Sequence, residues 1–194
     1  MKVIGITGGV GAGKSTVLDY LEQNFNACIL KTDDVGRLLM QKGQKGYEET
    51  LEFFGDGILD AHGEINRNML AEIIFANPNK RMVLNSIIHP LVKRYCLDQI
   101  NEKRIEGKYD YFFLESALLL DDHYETIVDE LWYISASEDE RRKRLKEDRG
   151  YSDEKIDGIF ASQKKEDEFK RACKVVIDSS GTVENTRAQL VKYL

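Results

Sequence analysis

The chain opens with a short apolar, β-branched run, Lys2-Val3-Ile4-Gly5-Ile6-Thr7, which predicts a buried strand. After a glycine-rich break, Val17, Leu18 and Leu21 recur at helical spacing, so a helix opens near Thr16. The same alternation continues along the chain. Ala27-Cys28-Ile29-Leu30 predicts a second strand, residues 109–114 a third, 130–135 a fourth and 174–177 a fifth. Residues 46–106 read as mostly helical. Before them, Val35, Leu38 and Leu39 predict a short helix for which Asp33 and Asp34 are capping candidates. Asn66 is suited to cap a segment bearing Met69, Leu70, Ile73 and Ile74, Pro78 suits the first turn of another helix, and Pro90 the start of a third. Ser137-Glu138-Asp139-Glu140 spells a capping box, with Ser137 bonding forward and Glu140 reaching back. A last helix is expected over about 183–194.

Strands separated by helices predict an α/β fold with three layers, α/β/α, around a five-stranded, mainly parallel sheet. A chain of 194 residues can bury one full core, so a single domain over 1–194 is expected. The helical stretch between the second and third strands is too long for a simple crossover. It reads as an insertion, over about 40–106, that covers a ligand site and holds a substrate.

Composition narrows the partners. A net charge of −6 argues against a general nucleic-acid-binding surface, so any anion must be captured by a local cluster. Cys28, Cys96 and Cys173 are scattered without C-x-x-C spacing, which predicts buried free thiols in a reducing cytosol rather than a zinc site or disulfides. The first apolar stretch is too short for a signal peptide, and no run approaches a membrane span. A cytoplasmic enzyme that meets neither membrane nor nucleic acid is the expectation.

The chemistry enters at Gly8-Gly9-Val10-Gly11-Ala12-Gly13-Lys14-Ser15, which fits G-x-x-x-x-G-K-[ST] without mismatch. Glycines at 9, 11 and 13, with Ala12, let successive N–H groups aim at one anion. Lys14 brings a compact charge to the β/γ-phosphates, and the Ser15 hydroxyl can ligate Mg²⁺. Strand, loop and helix in this order put a phosphate at a helix N-terminus, where Ser15 and Thr16 lie. A nucleoside triphosphate with Mg²⁺ is therefore the expected ligand.

Phosphoryl transfer further needs a base near the attacking hydroxyl and charge neutralised on the moving group. Asp33 and Asp34 follow the second strand, at the strand end where ligands collect in open α/β sheets. One can cap the following helix while the other faces the site. Arg141-Arg142-Lys143-Arg144-Leu145-Lys146 puts five positive charges in six residues, with Arg149 close behind. Helical spacing sets Arg141 and Arg144 on one face, able to meet phosphate oxygens if the segment folds over the loop. Over 138–172, however, acids and bases balance at eleven each, as a solvated surface would have it. Glu115 either holds Mg²⁺ through water or only points into the site. His89 taken alone reads as a capping or packed residue, and Arg67 alone is unremarkable.

The order of these motifs resembles the dephospho-CoA kinase family. Ile6–Thr16 follows its T-G-G-[IV]-G-[SA]-G-K-S-T start, and Asp33-Asp34-Val35-Gly36-Arg37 its D-x-[IV]-[AG]-R. Phe54-Gly55, Gly63-Glu64-Ile65-Asn66-Arg67, Ile74-Phe75, His89-Pro90, Arg149, Gln163 and the closing 176–181 segment continue the match in collinear order. Lys31-Thr32-Asp33 keeps only the last acid of the family's D-A-D, Ser179 replaces an Asn, and 117–121 departs from its P-L-L-[FV]-E.

The resemblance implies a nucleoside-monophosphate-kinase-like fold with a helical CoA-binding insertion and a mobile lid, here about 138–172. It implies transfer of the ATP γ-phosphate to the 3′-hydroxyl of dephospho-CoA, completing coenzyme A. By position, Lys14 and Ser15 serve ATP and Mg²⁺, and Asp33 is the general base. Arg67 and His89 belong to the acceptor side, Arg144 and Arg149 to the lid over the phosphates and adenine, and Ser179 to the adenine side. A monomer or weak homo-oligomer is expected. The rival reading is another small-molecule kinase on this fold, acting on a nucleoside, a nucleotide or a shikimate-like acid. A regulatory GTPase is disfavoured, since neither N-K-x-D nor a D-x-x-G after the third strand is present.

Overall fold

Val3, Ile4 and Ile6 are all fully buried, and the run that carries them is the central strand of the sheet, β1 (Lys2–Thr7). The structure, a computed structural model, describes residues 1–194. From the amino end follow α1 (Lys14–Asn24), β2 (Ala27–Lys31), α2 (Thr32–Leu39), α3 (Lys45–Phe54), α4 (Arg67–Ala76) and α5 (Pro78–Glu106). Then come β3 (Tyr111–Glu115), β4 (Glu130–Ser135), α6 (Glu138–Arg149), α7 (Asp153–Ser162), α8 (Glu166–Ala172), β5 (Val175–Asp178) and α9 (Val183–Tyr193). The five strands form one sheet in the order β2-β3-β1-β4-β5. β1 pairs in parallel with β3 and β4, and β4 with β5, so the α/β expectation holds. No helix is long and apolar enough to cross a membrane.

The chain divides into two compact units, residues 1–29 with 103–194, and residues 30–102. In the first, one face of the sheet buries Ile4, Ile6, Phe113, Trp132, Ile134 and Ile177 against Val17, Leu18 and Leu21 of α1 and Leu190 of α9. On the other face a Cβ at Gly5 would collide with Leu131, near Leu119 and Val128. There Tyr133 stacks on Phe169 of α8, with ring centroids 4.8 Å apart. Alternate residues of β1 and β4 thus serve opposite layers, as a pleated strand requires.

At the amino end of the sheet Glu130 is buried and meets Lys2 Nζ and Lys174 Nζ, each at 2.7 Å, and Trp132 Nε1 at 2.9 Å. Burial alone would push its carboxyl up. The hydrogen bonds from Lys174, Lys2 and Trp132 outweigh that and bring it down to about 2.

The second unit is helical. Asn66 caps α4 as expected, accepting from Met69 N at 3.1 Å, and Pro78 opens α5, with Asn77 Oδ1 accepting from the Asn79 and Lys80 amides. Pro90 differs from expectation. It begins no new helix but lies inside the 29 residues of α5. A proline removes one intrahelical bond and crowds the carbonyl four residues back. The helix continues because Leu84, Ile88, Val92, Cys96 and Ile100, four residues apart, form one buried stripe across the break.

Asp33 and Asp34 are also not caps. The N-cap is Lys31, and both acids stand in the first turn of α2, where a carboxylate suits the helix dipole. The box at Ser137 is half formed. Ser137 Oγ accepts from Glu140 N, but the Glu140 carboxylate turns to Arg144, and the Ser137 amide donates to Ser180 Oγ at 2.8 Å. The cysteines are free, Cys96 and Cys173 buried and Cys28 only half-buried. Burial pushes the Cys96 thiol up to about 12 and Cys173 to about 11, so both stay protonated.

Candidate active site

The glycine-rich loop connects β1 to α1 at the carboxyl end of the sheet. Its shape needs its glycines. A Cβ on Gly8 would stand 2.5 Å from the Ile134 carbonyl oxygen, and Gly13, the N-cap of α1, has φ 81°, which L side chains rarely adopt. The first turn of α1 has no side-chain cap and no acid. Its amides and dipole are thus available to an anion in the way phosphate-binding loops require. Lys14 Nζ donates to the Gly8 carbonyl at 2.8 Å and lies 3.6 Å from Glu115 at the end of β3. Ser15 and Thr16 are exposed beside it.

Helix α6 packs directly on this loop, with Leu145 buried against Gly11. Arg141 Nε donates to the Val10 carbonyl at 2.9 Å, and its Nη2 donates to Gln163 Oε1. Its guanidinium lies over the Phe160 ring at 4.3 Å. Arg144 bonds Gly11 O at 3.4 Å, Ser179 O at 2.6 Å and Glu140 at 3.0 Å. Ser179 is itself buried, and its hydroxyl donates to the Ala12 carbonyl at 2.7 Å. The basic run is thus divided: Arg141 and Arg144 face the loop, as their spacing suggests, while Arg142 pairs with Asp153 and Asp157 of α7.

The fold therefore gathers Gly9, Gly11, Ala12, Gly13, Lys14, Ser15, Thr16, Arg144 and Ser179 in one place within the first unit. Arg149, the last residue of α6, is exposed and interacts with the Tyr151 hydroxyl rather than the loop. Asp33, Arg67 and His89 all lie in the second unit. Asp33 and Arg67 are exposed in the first turns of α2 and α4, and His89 is half-buried in α5. Asp34 pairs with Arg37 at 3.0 Å.

Sequence reasoning placed Arg141 beside Arg144 but did not single it out, although its guanidinium lies nearest to Gly9. The i, i+3 spacing was the available signal. Its long-range partners, Val10 and Gln163, were not visible in any local pattern.

No group of three or more His, Cys, Asp or Glu side chains lies together as a metal site. One loop hydroxyl, Ser15, suits Mg²⁺, which keeps most of its waters and is held largely by substrate phosphates.

Comparison with known proteins agrees with this geometry. The family model for dephospho-CoA kinase matches residues 2–185. A dephospho-CoA kinase of Carboxydothermus hydrogenoformans is 37% identical over 100% of this chain and 93% of its own length. One from Bacillus licheniformis is 35% identical over 99% and 94%. A crystal structure of TT1252 from Thermus thermophilus superposes with TM-score 0.82 at 25% identity, covering 99% of this chain and 95% of that one. A shikimate kinase from Bacteroides thetaiotaomicron, at TM-score 0.52 and 13% identity over 99% of this chain and 95% of its own, shares the fold alone.

Proposed function

Since the chain belongs to the dephospho-CoA kinase family, we propose that it transfers the terminal phosphoryl group of ATP to the ribose 3′-hydroxyl of dephospho-CoA, the last step of coenzyme A synthesis. The observation that carries the reading is the uncapped start of α1, with Lys14 on the Gly8 carbonyl and α6 laid over the loop.

In this proposal the loop amides and Lys14 hold the β/γ-phosphates. The Ser15 hydroxyl would help hold Mg²⁺, which would supply charge neutralisation on the leaving group. Arg144 leaves the Gly11 and Ser179 carbonyls for phosphate oxygens, since a charged acceptor makes a stronger bond than a neutral one. Ser179 holds Ala12 and Arg144 in position. Asp33 takes the proton of the 3′-hydroxyl as it attacks. Arg67 and His89 serve the acceptor within the insertion, about 40–106. Residues 138–172 act as a lid that keeps water from the phosphoryl group, with Arg149 joining when it closes. The enzyme would work in the cytoplasm as a monomer or weak homo-oligomer.

The test is ADP release from MgATP with dephospho-CoA, nucleosides, nucleoside monophosphates and shikimate offered in parallel. ADP formed with dephospho-CoA alone is the expected result. A preference for shikimate or a nucleotide would replace the proposed acceptor, and no ATP turnover with any of them would remove the reading.

A further inference from the structure

The two arginines of α6 that face the loop do so at different places and with different partners. Arg144 lies against Gly11, Gly13 and Ser179 and is paired with a carboxylate, Glu140. Arg141 lies against Gly9, where a Cβ would stand 2.5 Å from Nη2 and 3.0 Å from Nη1. Its direct partners are neutral, the Val10 carbonyl, the Gln163 side-chain oxygen and the Phe160 ring, while the carboxylates of Glu138 and Glu166 favour its charge from beyond ion-pair contact. It is half-buried, and burial pulls its pKa below the ordinary guanidinium value. A guanidinium nevertheless remains charged at neutral pH. A partly desolvated cation with no carboxylate in direct contact is an unfavourable arrangement in the resting protein, and an arriving anion would relieve it.

The position indicates which anion. Lys14 Nζ rests on the Gly8 carbonyl, and the lysine of this motif serves the β/γ-phosphates. Gly9 follows Gly8 directly, so Arg141 covers the terminal end of the phosphate chain and Arg144 the end nearer the nucleoside. Two of the five N–H groups of Arg141 are used, by Val10 and Gln163. The Nη1 pair remains on the Gly9 side.

We propose that Arg141 is a phosphate-contacting residue of this enzyme that reads the terminal phosphoryl group of the nucleotide, and so separates the triphosphate substrate from the diphosphate product. The proposal rests on the kinase reading above and deepens it. Arg141 binds a γ-phosphate oxygen through Nη1 while Val10 and Gln163 hold the rest of its fork in place, and departure of the transferred group releases that contact.

The test is calorimetric titration of the full chain and of R141Q with MgATP, MgADP and AMP. Thermal denaturation of the ligand-free proteins gives the structural control, and R144Q the comparison. R141Q keeps a donor near Val10 but not the charge. A charge-assisted contact of this kind is worth about 10- to 100-fold in affinity. R141Q is therefore expected to weaken MgATP binding by about tenfold or more and MgADP binding by less than about threefold. R144Q should weaken both alike. If R141Q is unstable, R141K, which keeps the cation, is titrated in its place and should retain the preference for ATP over ADP better than R141A does.

Equal weakening of ATP and ADP in R141Q, or no change in either, overturns the proposal, because an arginine that only fastens α6 to the loop would act on all nucleotides alike. Failure of the wild-type protein to bind MgATP would instead remove the kinase reading itself.

Discussion

At the amino end of the sheet Glu130 receives two lysines and an indole N–H, three donors on one buried carboxylate. At the carboxyl end, Lys14, Arg141 and Arg144 all donate to main-chain carbonyls, those of Gly8, Val10, Gly11 and Ser179; Lys14 also lies 3.6 Å from Glu115 and Arg144 pairs with Glu140, so of these three Arg141 alone has no carboxylate in ion-pair contact. The residue types are alike, but the bonding differs. A lysine–carboxylate cluster has its charges matched within the protein, and no ligand improves on it. A cation on a neutral carbonyl has only a modest hydrogen bond there, and a phosphate oxygen offers a stronger one. The first arrangement suits holding β1, β4 and β5 together; the second suits exchanging partners during a reaction cycle.

Changes at either end should separate turnover from stability. The largest expected effect comes from a carboxylate in the other unit. Asp33→Asn should lower kcat by about 10²- to 10⁴-fold, the usual share of a general base, with ATP affinity and melting temperature nearly unchanged. Unaltered turnover would take Asp33 out of the mechanism. At the loop, Lys14→Ala should reduce kcat by about 10²- to 10³-fold, as its charge is lost from the transition state. Wild-type rates in a steady-state assay would contradict its phosphate role.

Glu130→Gln should do the reverse, leaving turnover within about twofold but costing on the order of 2–3 kcal/mol of stability, read by urea unfolding. The sign with pH follows from its depressed carboxyl. The stabilisation is complete above the unfolded value of 4.5 and is lost as pH falls from there through the folded value, about 2. Trp132 is the chain's single tryptophan and donates to Glu130, so its fluorescence reports on this end during an acid titration. A variant whose unfolding keeps the wild-type slope between those pH values would break the comparison. The smallest effect is expected for Ser179→Ala, about 1 kcal/mol of stability and a rise of a few-fold in KM for ATP, since one buried bond to Ala12 is lost. A change in KM for dephospho-CoA alone would place its influence elsewhere.

Much of this enzyme can be read locally. The loop motif, the strand before it and the helix after it are contiguous, so steric freedom at Gly13 and apolar spacing suffice to specify them. The same holds for the Asn66 and Ser137 caps, which reach only three residues forward. Pro90 departs from its local signal, a helix start, because a stripe of buried residues on both sides outweighs one lost hydrogen bond.

Partner choice is another matter. Glu140 could reach back to its cap or forward to Arg144, and the choice follows from Ser180 arriving at the Ser137 amide from 43 residues away. Arg141 meets Val10 across 131 residues, Arg144 meets Ser179 across 35, and Lys174 meets Glu130 across 44. Backbone sterics and periodicity act over a few residues and are written into neighbouring letters of the chain. Which arginine of a basic run turns inward, and which lysine completes a buried charge, depends on surfaces that meet only after the sheet has formed.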